Sequence, residues 1–249
     1  MPRRADFVVT VAALCVMSGV LAWQAGSFGL SWDALNHHIY LGYIAETPRW
    51  HLDVAAAASQ SFQYPYIYWP FYRLTHLGLS GTTAAVIWSV LQTLCIAPPV
   101  WLASIHFWPD RRDDWEARLL HAAGCGLGFT SILVLAAISG SANDLLAAAP
   151  MLWAIAVVLA PTLTPTRLIG AGLLVGISLA FKFSNALCMP LFLLAIVRPS
   201  LRLHNIKPLS VTALAVVVGF AATYAPWGWQ LWQQFGNPFY PHFAAFFRG

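Results

Sequence analysis

Seven stretches of apolar sequence alternate with short polar interruptions along this chain. They cover 7–26, 82–107, 119–138, 145–160, 168–181, 185–197 and 208–227. Runs of about 20 residues at a rise of ~1.5 Å per residue match the ~30 Å hydrocarbon core of a bilayer. The pattern predicts an all-α polytopic membrane protein with about seven transmembrane helices, forming a single transmembrane domain over 1–249. The first run follows basic Arg3 and Arg4. It is too long for a signal-peptide core, and Ala22-Trp23-Gln24-Ala25 is a poor cleavage site, so it reads as an uncleaved first helix. The interval 27–81 is predicted to be a long first loop, and 228–249 a tail. The stretch 168–197 reads either as one long helix or as two short ones hinged at Lys182-Phe183-Ser184-Asn185.

Charge placement decides between these. With seven spans and a cytoplasmic N-terminus, Arg3, Arg4, Arg111, Arg112, Arg118, Arg167, Arg198, Arg202 and Lys207 fall inside. Arg49, Arg73, Lys182 and Arg248 fall outside. This is the positive-inside bias, and merging 168–197 into one span weakens it. The hinge is therefore favoured. On that topology the 27–81 loop, the Ser139–Asp144 turn, the Lys182 hinge and the 228–249 tail all lie on the outer face.

Composition agrees. The 249 residues are 59% hydrophobic and only 9% charged, against about 25% charged in a soluble domain. No Lys/Arg-rich cluster with interleaved aromatics is present, which argues against nucleic acid as a partner. Cys15, Cys95, Cys125 and Cys188 sit far apart in apolar runs and read as buried small hydrophobes.

The loop from Ser31 to Ser80 concentrates polar chemistry. It holds Asp33, Glu46 and Asp53 among nine acidic residues, and His37, His38, His51 and His76 among eight histidines. Ser31 is placed to cap a helix running through Tyr43. On such a helix Asp33, Asn36, His37 and Tyr40 share one polar face. Asp33 is then either a general base for an acceptor hydroxyl or a first-turn charge favoured by the helix dipole. Asp144, in a turn between apolar runs, is either its partner or another helix N-terminal charge. A carboxylate and an imidazole at i, i+4 are too few to define a metal site.

Lys182 lies between apolar segments, where a cation is a functional candidate unless it snorkels to the interface. As a cation near the outer surface it suits a lipid phosphate, with Arg49 and Arg73 either assisting or facing headgroups. The segment Gln60–Tyr72, rich in aromatics around Pro65 and Pro70, reads as an interfacial anchor ahead of a sugar-binding platform. His38, His51 and His76 show no evident partner in the sequence.

Trp32-Asp33-Ala34-Leu35-Asn36-His37-His38-Ile39-Tyr40 after a first membrane helix resembles the opening of the first outer loop in GT-C glycosyltransferases. Those multi-spanning enzymes use polyprenyl-phosphate-linked sugars. Bacterial members carry an Asp-x-x-x-Tyr-His-Leu-like start there; His37 stands where tyrosine is usual. The Asp144 turn, Gly176-Ile177-Ser178-Leu179-Ala180-Phe181-Lys182, and Asn237-Pro238-Phe239-Tyr240-Pro241 match in order.

The resemblance implies a GT-C fold at the bacterial inner membrane, with juxtamembrane helices in the first loop. It implies Asp33 as catalytic base, Asp144 as second acidic residue, and Lys182 as phosphate contact. Asn36, His37, His38 and Tyr40 become candidate substrate contacts. The donor is a polyprenyl-phosphate-linked sugar, and the acceptor a glycan, lipid or protein; membrane lipid surrounds both. No nucleotide loop is needed and none is present. Some relatives use a divalent metal and some do not. Relatives usually continue with further helices, so a truncated, minimal or inactive member stays open. So does a non-catalytic protein that binds or transports a lipid-linked glycan.

Overall fold

The computed structural model describes residues 4–26, 31–53, 56–107, 115–138, 140–197 and 207–247. The cationic stretches around Arg111 and Arg112 and over 198–206 lie outside the described residues, as do Arg3, Ser139 and Arg248. The elements are α1 (Arg4–Ala25), a π-helical turn (Ala34–His38) leading into α2 (Ile39–Ile44), a 3-10 turn (Ala58–Phe62), α3 (Trp69–Thr75) and α4 (Gly81–Phe107). Then follow α5 (Trp115–Phe129), α6 (Ile132–Ala137), α7 (Asp144–Val158), α8 (Pro165–Phe181), a 3-10 segment (Phe183–Cys188), α9 (Met189–Ile196), α10 (Lys207–Phe235) and α11 (Ala244–Phe247). The described residues form an all-helical structure without strands.

Among the described residues, three helices are long and apolar enough to cross a membrane: Ala5–Ala25, Gly81–His106 and Leu209–Phe235. The apolar helices Asp144–Val158, Pro165–Phe181 and Phe183–Ile196 are shorter. At ~1.5 Å per residue, the 17 residues of α8 reach about 25 Å, short of a ~30 Å hydrocarbon core. The run 119–138 is divided rather than continuous. Ser131 turns extended and its Oγ accepts from the Val134 N–H, which caps a new start for α6.

Apolar side chains cover the outside of the bundle as well as its core. Val8, Val16 and Trp23 on α1, Leu127 on α5, Leu194 on α9, and Leu214, Val217 and Trp229 on α10 are all exposed. An aqueous surface rarely carries so much contiguous apolar area, whereas hydrocarbon tails solvate it without cost. Polar groups instead join helices inside: Thr93 Oγ1 donates to Ser18 Oγ at 2.9 Å, linking α4 to α1.

α1 packs on α4, α4 on α7, α7 on α8, and α8 on α10. The last pair is the closest because glycines remove the side chains between the backbones. A Cβ on Gly176 would lie 2.2 Å from the Val216 carbonyl oxygen, and one on Gly219 would lie 2.3 Å from that of Leu173. This is small-residue packing of the kind that lets membrane helices approach.

α8 ends where the sequence hinge is expected. Lys182 is extended (φ −154°, ψ 114°), and the chain restarts as a 3-10 segment at Phe183. Asn185 Nδ2 holds the break by donating to the Ala147 and Ser178 carbonyl oxygens at 2.9 and 3.1 Å. The amide thereby ties the break to the backbone of both α7 and α8.

Two other expectations change. α10 does not stop at 227 but continues for about two turns to Phe235, where Gly236 (φ +66°) ends it. The continuation holds because Trp227 and Leu231 are fully buried. The aromatic segment 60–72 packs partly inward: Tyr68 and Phe71 are buried and Tyr64 stacks on Tyr224 of α10 at 6.1 Å, while Trp69 stays exposed. The Trp227 indole also donates to the Phe62 carbonyl oxygen at 3.1 Å, tying loop to bundle. Of the cysteines, Cys125 is buried as expected, but Cys188 is exposed.

Candidate functional site

The site begins at a capped helix start. Ser31 Oγ accepts from the Ala34 N–H at 3.1 Å, the capping bond expected of it. The helix then widens into a π turn over Ala34–His38, a geometry often found at functional positions. The widening splits the expected face. Asp33 and His37 remain neighbours, with Oδ1 and Nδ1 3.7 Å apart. Asn36 turns to Gln60, donating to its Oε1 at 2.7 Å. The Tyr40 hydroxyl faces Asp53 instead.

The same widening turns both histidines inward. His37 and His38 are buried, and their rings meet edge to face at 4.3 Å. His38 does have a partner, although none is evident in the sequence. Its Nδ1 shares a 2.8 Å hydrogen bond with Ser141 Oγ, in the turn that precedes α7. Burial pulls both imidazoles below the usual histidine range. For His38, neighbouring His37 adds to the effect and the value falls to about 4. Both rings are thus neutral near neutral pH.

Around this floor stand three charged groups. Asp33, Asp144 and Lys182 all act electrostatically on His37 and His38, the carboxylates favouring protonation and the ammonium opposing it. The Asp33 and Asp144 side chains are 54% and 58% exposed, against 6% for His37, so the carboxylates form the open side. Asp144 heads α7, and its carboxylate accepts from the Lys182 ammonium at the break after α8.

Two further polar residues lie beneath. The Tyr68 hydroxyl donates to Gln63 Oε1 at 3.0 Å, and its ring lies 5.1 Å from that of His38. Burial, with Asp144 and Asp33 nearby, pushes the Tyr68 phenol up. Asn143 is buried, and its side chain hydrogen-bonds toward the Tyr68 hydroxyl, which partly offsets that rise.

On the other side of Lys182 is a cavity of about 210 Å³. Gln63 and Tyr64 of the first loop, Lys182 and Ser184 of the break, Tyr224 of α10 and His242 beyond it contribute to its wall. The four segments expected on one side of the membrane therefore meet at one end of the bundle.

Arg49 and Arg73 do not join them. Arg49 pairs with Asp53 at 3.3 Å and donates to the Tyr43 hydroxyl at 3.2 Å. Arg73 pairs with Glu46 and lies over the Trp69 ring. Both are local ties within the loop, and their opposite charges lie closer in sequence than the site does.

The donor set does not fit a resident metal. Among the described residues, no three His, Cys, Asp or Glu side chains come close enough together to hold a metal ion; Asp144 is engaged by Lys182 and His38 by Ser141. Ser141 and Asn143 were visible only as members of the acidic turn, and Tyr68 and Gln63 as members of the aromatic segment. Tyr224 carried no signal beyond a polar atom in an apolar helix.

The described residues define a helical fold with an apolar outer surface, in which three helices are long and apolar enough to cross a membrane. No family model, curated protein or solved structure matches the chain.

Proposed function

We propose that this chain is a GT-C-type glycosyltransferase that moves a sugar from a polyprenyl-phosphate carrier to an extracytoplasmic glycan, lipid or protein. It acts on the outer side of a bacterial inner membrane, with a cytoplasmic N-terminus and seven spans, the shorter apolar helices included. The observation that carries this reading is the convergence of Asp33, Asp144 and Lys182 around one pair of neutral histidines.

Chemically, the arrangement suits displacement at a sugar carbon. Asp33, exposed and beside neutral His37, takes the proton of the acceptor hydroxyl. The acceptor oxygen bonds to the anomeric carbon as that carbon's bond to the phosphate oxygen breaks. The electron pair leaves on the carrier phosphate, whose charge the Lys182 ammonium offsets. Asp144 holds that ammonium in place. His37 stays neutral and so does not cancel the Asp33 charge.

Reconstitution into vesicles with a radiolabelled polyprenyl-phosphate sugar tests the reading. Label is expected to move to a membrane or glycan acceptor with release of free polyprenyl phosphate. Failure of every polyprenyl-phosphate sugar to yield that product, in folded protein, sinks it.

A further inference from the structure

Gln63 connects the buried floor of the site to the cavity beside Lys182. It follows the 3-10 turn Ala58–Phe62 in an extended conformation (φ −65°, ψ 160°). Its Oε1 accepts from the Tyr68 hydroxyl at 3.0 Å, and the residue lines the 210 Å³ cavity that Lys182 also lines. The surroundings of Tyr68 fix the direction of that hydrogen bond. The Asn143 amide hydrogen-bonds toward the phenol oxygen in the way that favours a phenolate, as a donor does. A phenol has a single O–H. With its oxygen receiving from Asn143, that O–H is left for Gln63 Oε1. The chain of donors therefore runs from Asn143 through Tyr68 to Gln63. It orients the Gln63 amide, with the oxygen turned to buried Tyr68 and the nitrogen on the arm left for the cavity. Among the described residues, the bond to Tyr68 is the one side-chain hydrogen bond that Gln63 makes.

We propose that Gln63 is a specificity-determining residue of this cavity, whose amide N–H groups, aimed by Tyr68, join Lys182 in holding a phosphate oxygen. The lining selects that ligand. Among the described residues it carries Lys182, His242 and hydroxyls such as that of Ser184, and no carboxylate. An anionic oxygen offers several lone pairs to such a set of donors. A neutral amide adds two N–H donors beside the ammonium without adding a second full charge. Tyr68 itself is a positioning residue. It is 2% exposed, and its ring is seated against His38 at 5.1 Å and His37 at 6.0 Å. The inference rests on the reading of Lys182 as a phosphate contact. It adds that cation's neutral companion and the residue that orients it.

The test is phosphate binding to the whole chain in detergent, by isothermal titration calorimetry. Inorganic phosphate and farnesyl phosphate are separate probes, and thermal unfolding is the folding control. Gln63→Glu keeps an acceptor for Tyr68 and loses the N–H donors. Gln63→Met loses them without adding charge. Both are expected to weaken each probe about tenfold or more, the effect of losing a hydrogen bond to a charged group. In the transfer assay both raise KM for the lipid-linked sugar. Tyr68→Phe lets the amide turn and weakens both probes to a smaller extent. Added to Gln63→Glu it costs nothing further, because a carboxylate has no nitrogen left to aim. An equal loss from Tyr68→Phe in both backgrounds overturns the positioning role. Wild-type affinity in folded Gln63→Met overturns the proposal. So does a loss confined to Gln63→Glu, which is charge repulsion. A loss for inorganic phosphate alone assigns the donors to a free anion and overturns their link to the lipid carrier. Gln63-dependent binding without sugar transfer removes the catalytic reading and keeps this one; transfer with unchanged KM in Gln63→Met does the reverse.

Discussion

Lys182 and Asp144 lie 38 positions apart and meet as an ion pair, joining the break after α8 to the first turn of α7. The pair sits at a boundary. On one side are Asp33 and the two histidines; on the other is the cavity. Because both side chains remain partly exposed, 29% for Lys182 and 58% for Asp144, their attraction is screened. Its value to folding is then about 0–1 kcal/mol. Asp144→Asn and Lys182→Met are therefore expected to leave the melting temperature nearly unchanged. Each is expected to reduce sugar transfer at least tenfold, about 1.4 kcal/mol. A melting shift as large as that of a core substitution in either variant would assign the pair to the scaffold instead.

His38 makes folding pH-dependent in a definite direction. Its pKa falls from about 6.5 to about 4 in the folded protein, chiefly through burial and secondarily through His37. Between those values the unfolded chain binds the extra proton and the folded chain does not. Stability is thus intact above pH 6.5 and declines as pH falls toward 4. Ser141→Ala leaves the His38 nitrogen without its partner at the cost of a buried, unmet polar group, about 1–3 kcal/mol. His38→Gln removes this residue's share of the slope. Chemical denaturation in detergent from pH 4 to 8 measures both effects.

Gly176 is expected to be intolerant of even one added methyl group. Its Cβ would meet the Val216 carbonyl oxygen and the Phe220 nitrogen, both backbone atoms that cannot rotate away. Gly176→Ala must push α8 from α10, costing about 1–3 kcal/mol by overpacking. Gly170, on the same helix, has nothing within 4 Å of the added atom. Gly170→Ala serves as the control and should unfold as the parent does. Equal stability of the two variants would show that the helices separate freely at Gly176.

Much of this arrangement is legible in the chain, for local reasons. Ser31 caps, and the cation at Lys182 followed by Ser184 and Asn185 breaks a helix, whatever their surroundings. The acidic turn before α7 and the polar loop are visible as interruptions of apolar sequence. The π turn is not, because a shift from i+4 to i+5 bonding leaves no mark in residue type; hence Asn36 and Tyr40 were grouped with Asp33 although they point elsewhere. Long-range partners were equally hidden. Ser141 is 103 positions from His38, and Arg49 and Arg73 resemble site cations until their neighbours Asp53 and Glu46 are seen to hold them. The extent of α10 was not visible because the continuous apolar run ends at 227, although Trp227 and Leu231 continue the buried stripe.

The central claim is that Asp33 is the base. Asp33→Asn keeps the shape of the side chain and removes its charge, and its 54% exposure spares the fold. In vesicles supplied with a polyprenyl-phosphate sugar that the parent protein uses, this variant is expected to lose about 100- to 10,000-fold in transfer rate, the contribution of a positioned base. Its melting temperature should match the parent's. A folded Asp33→Asn protein that transfers sugar at the parental rate would contradict the account.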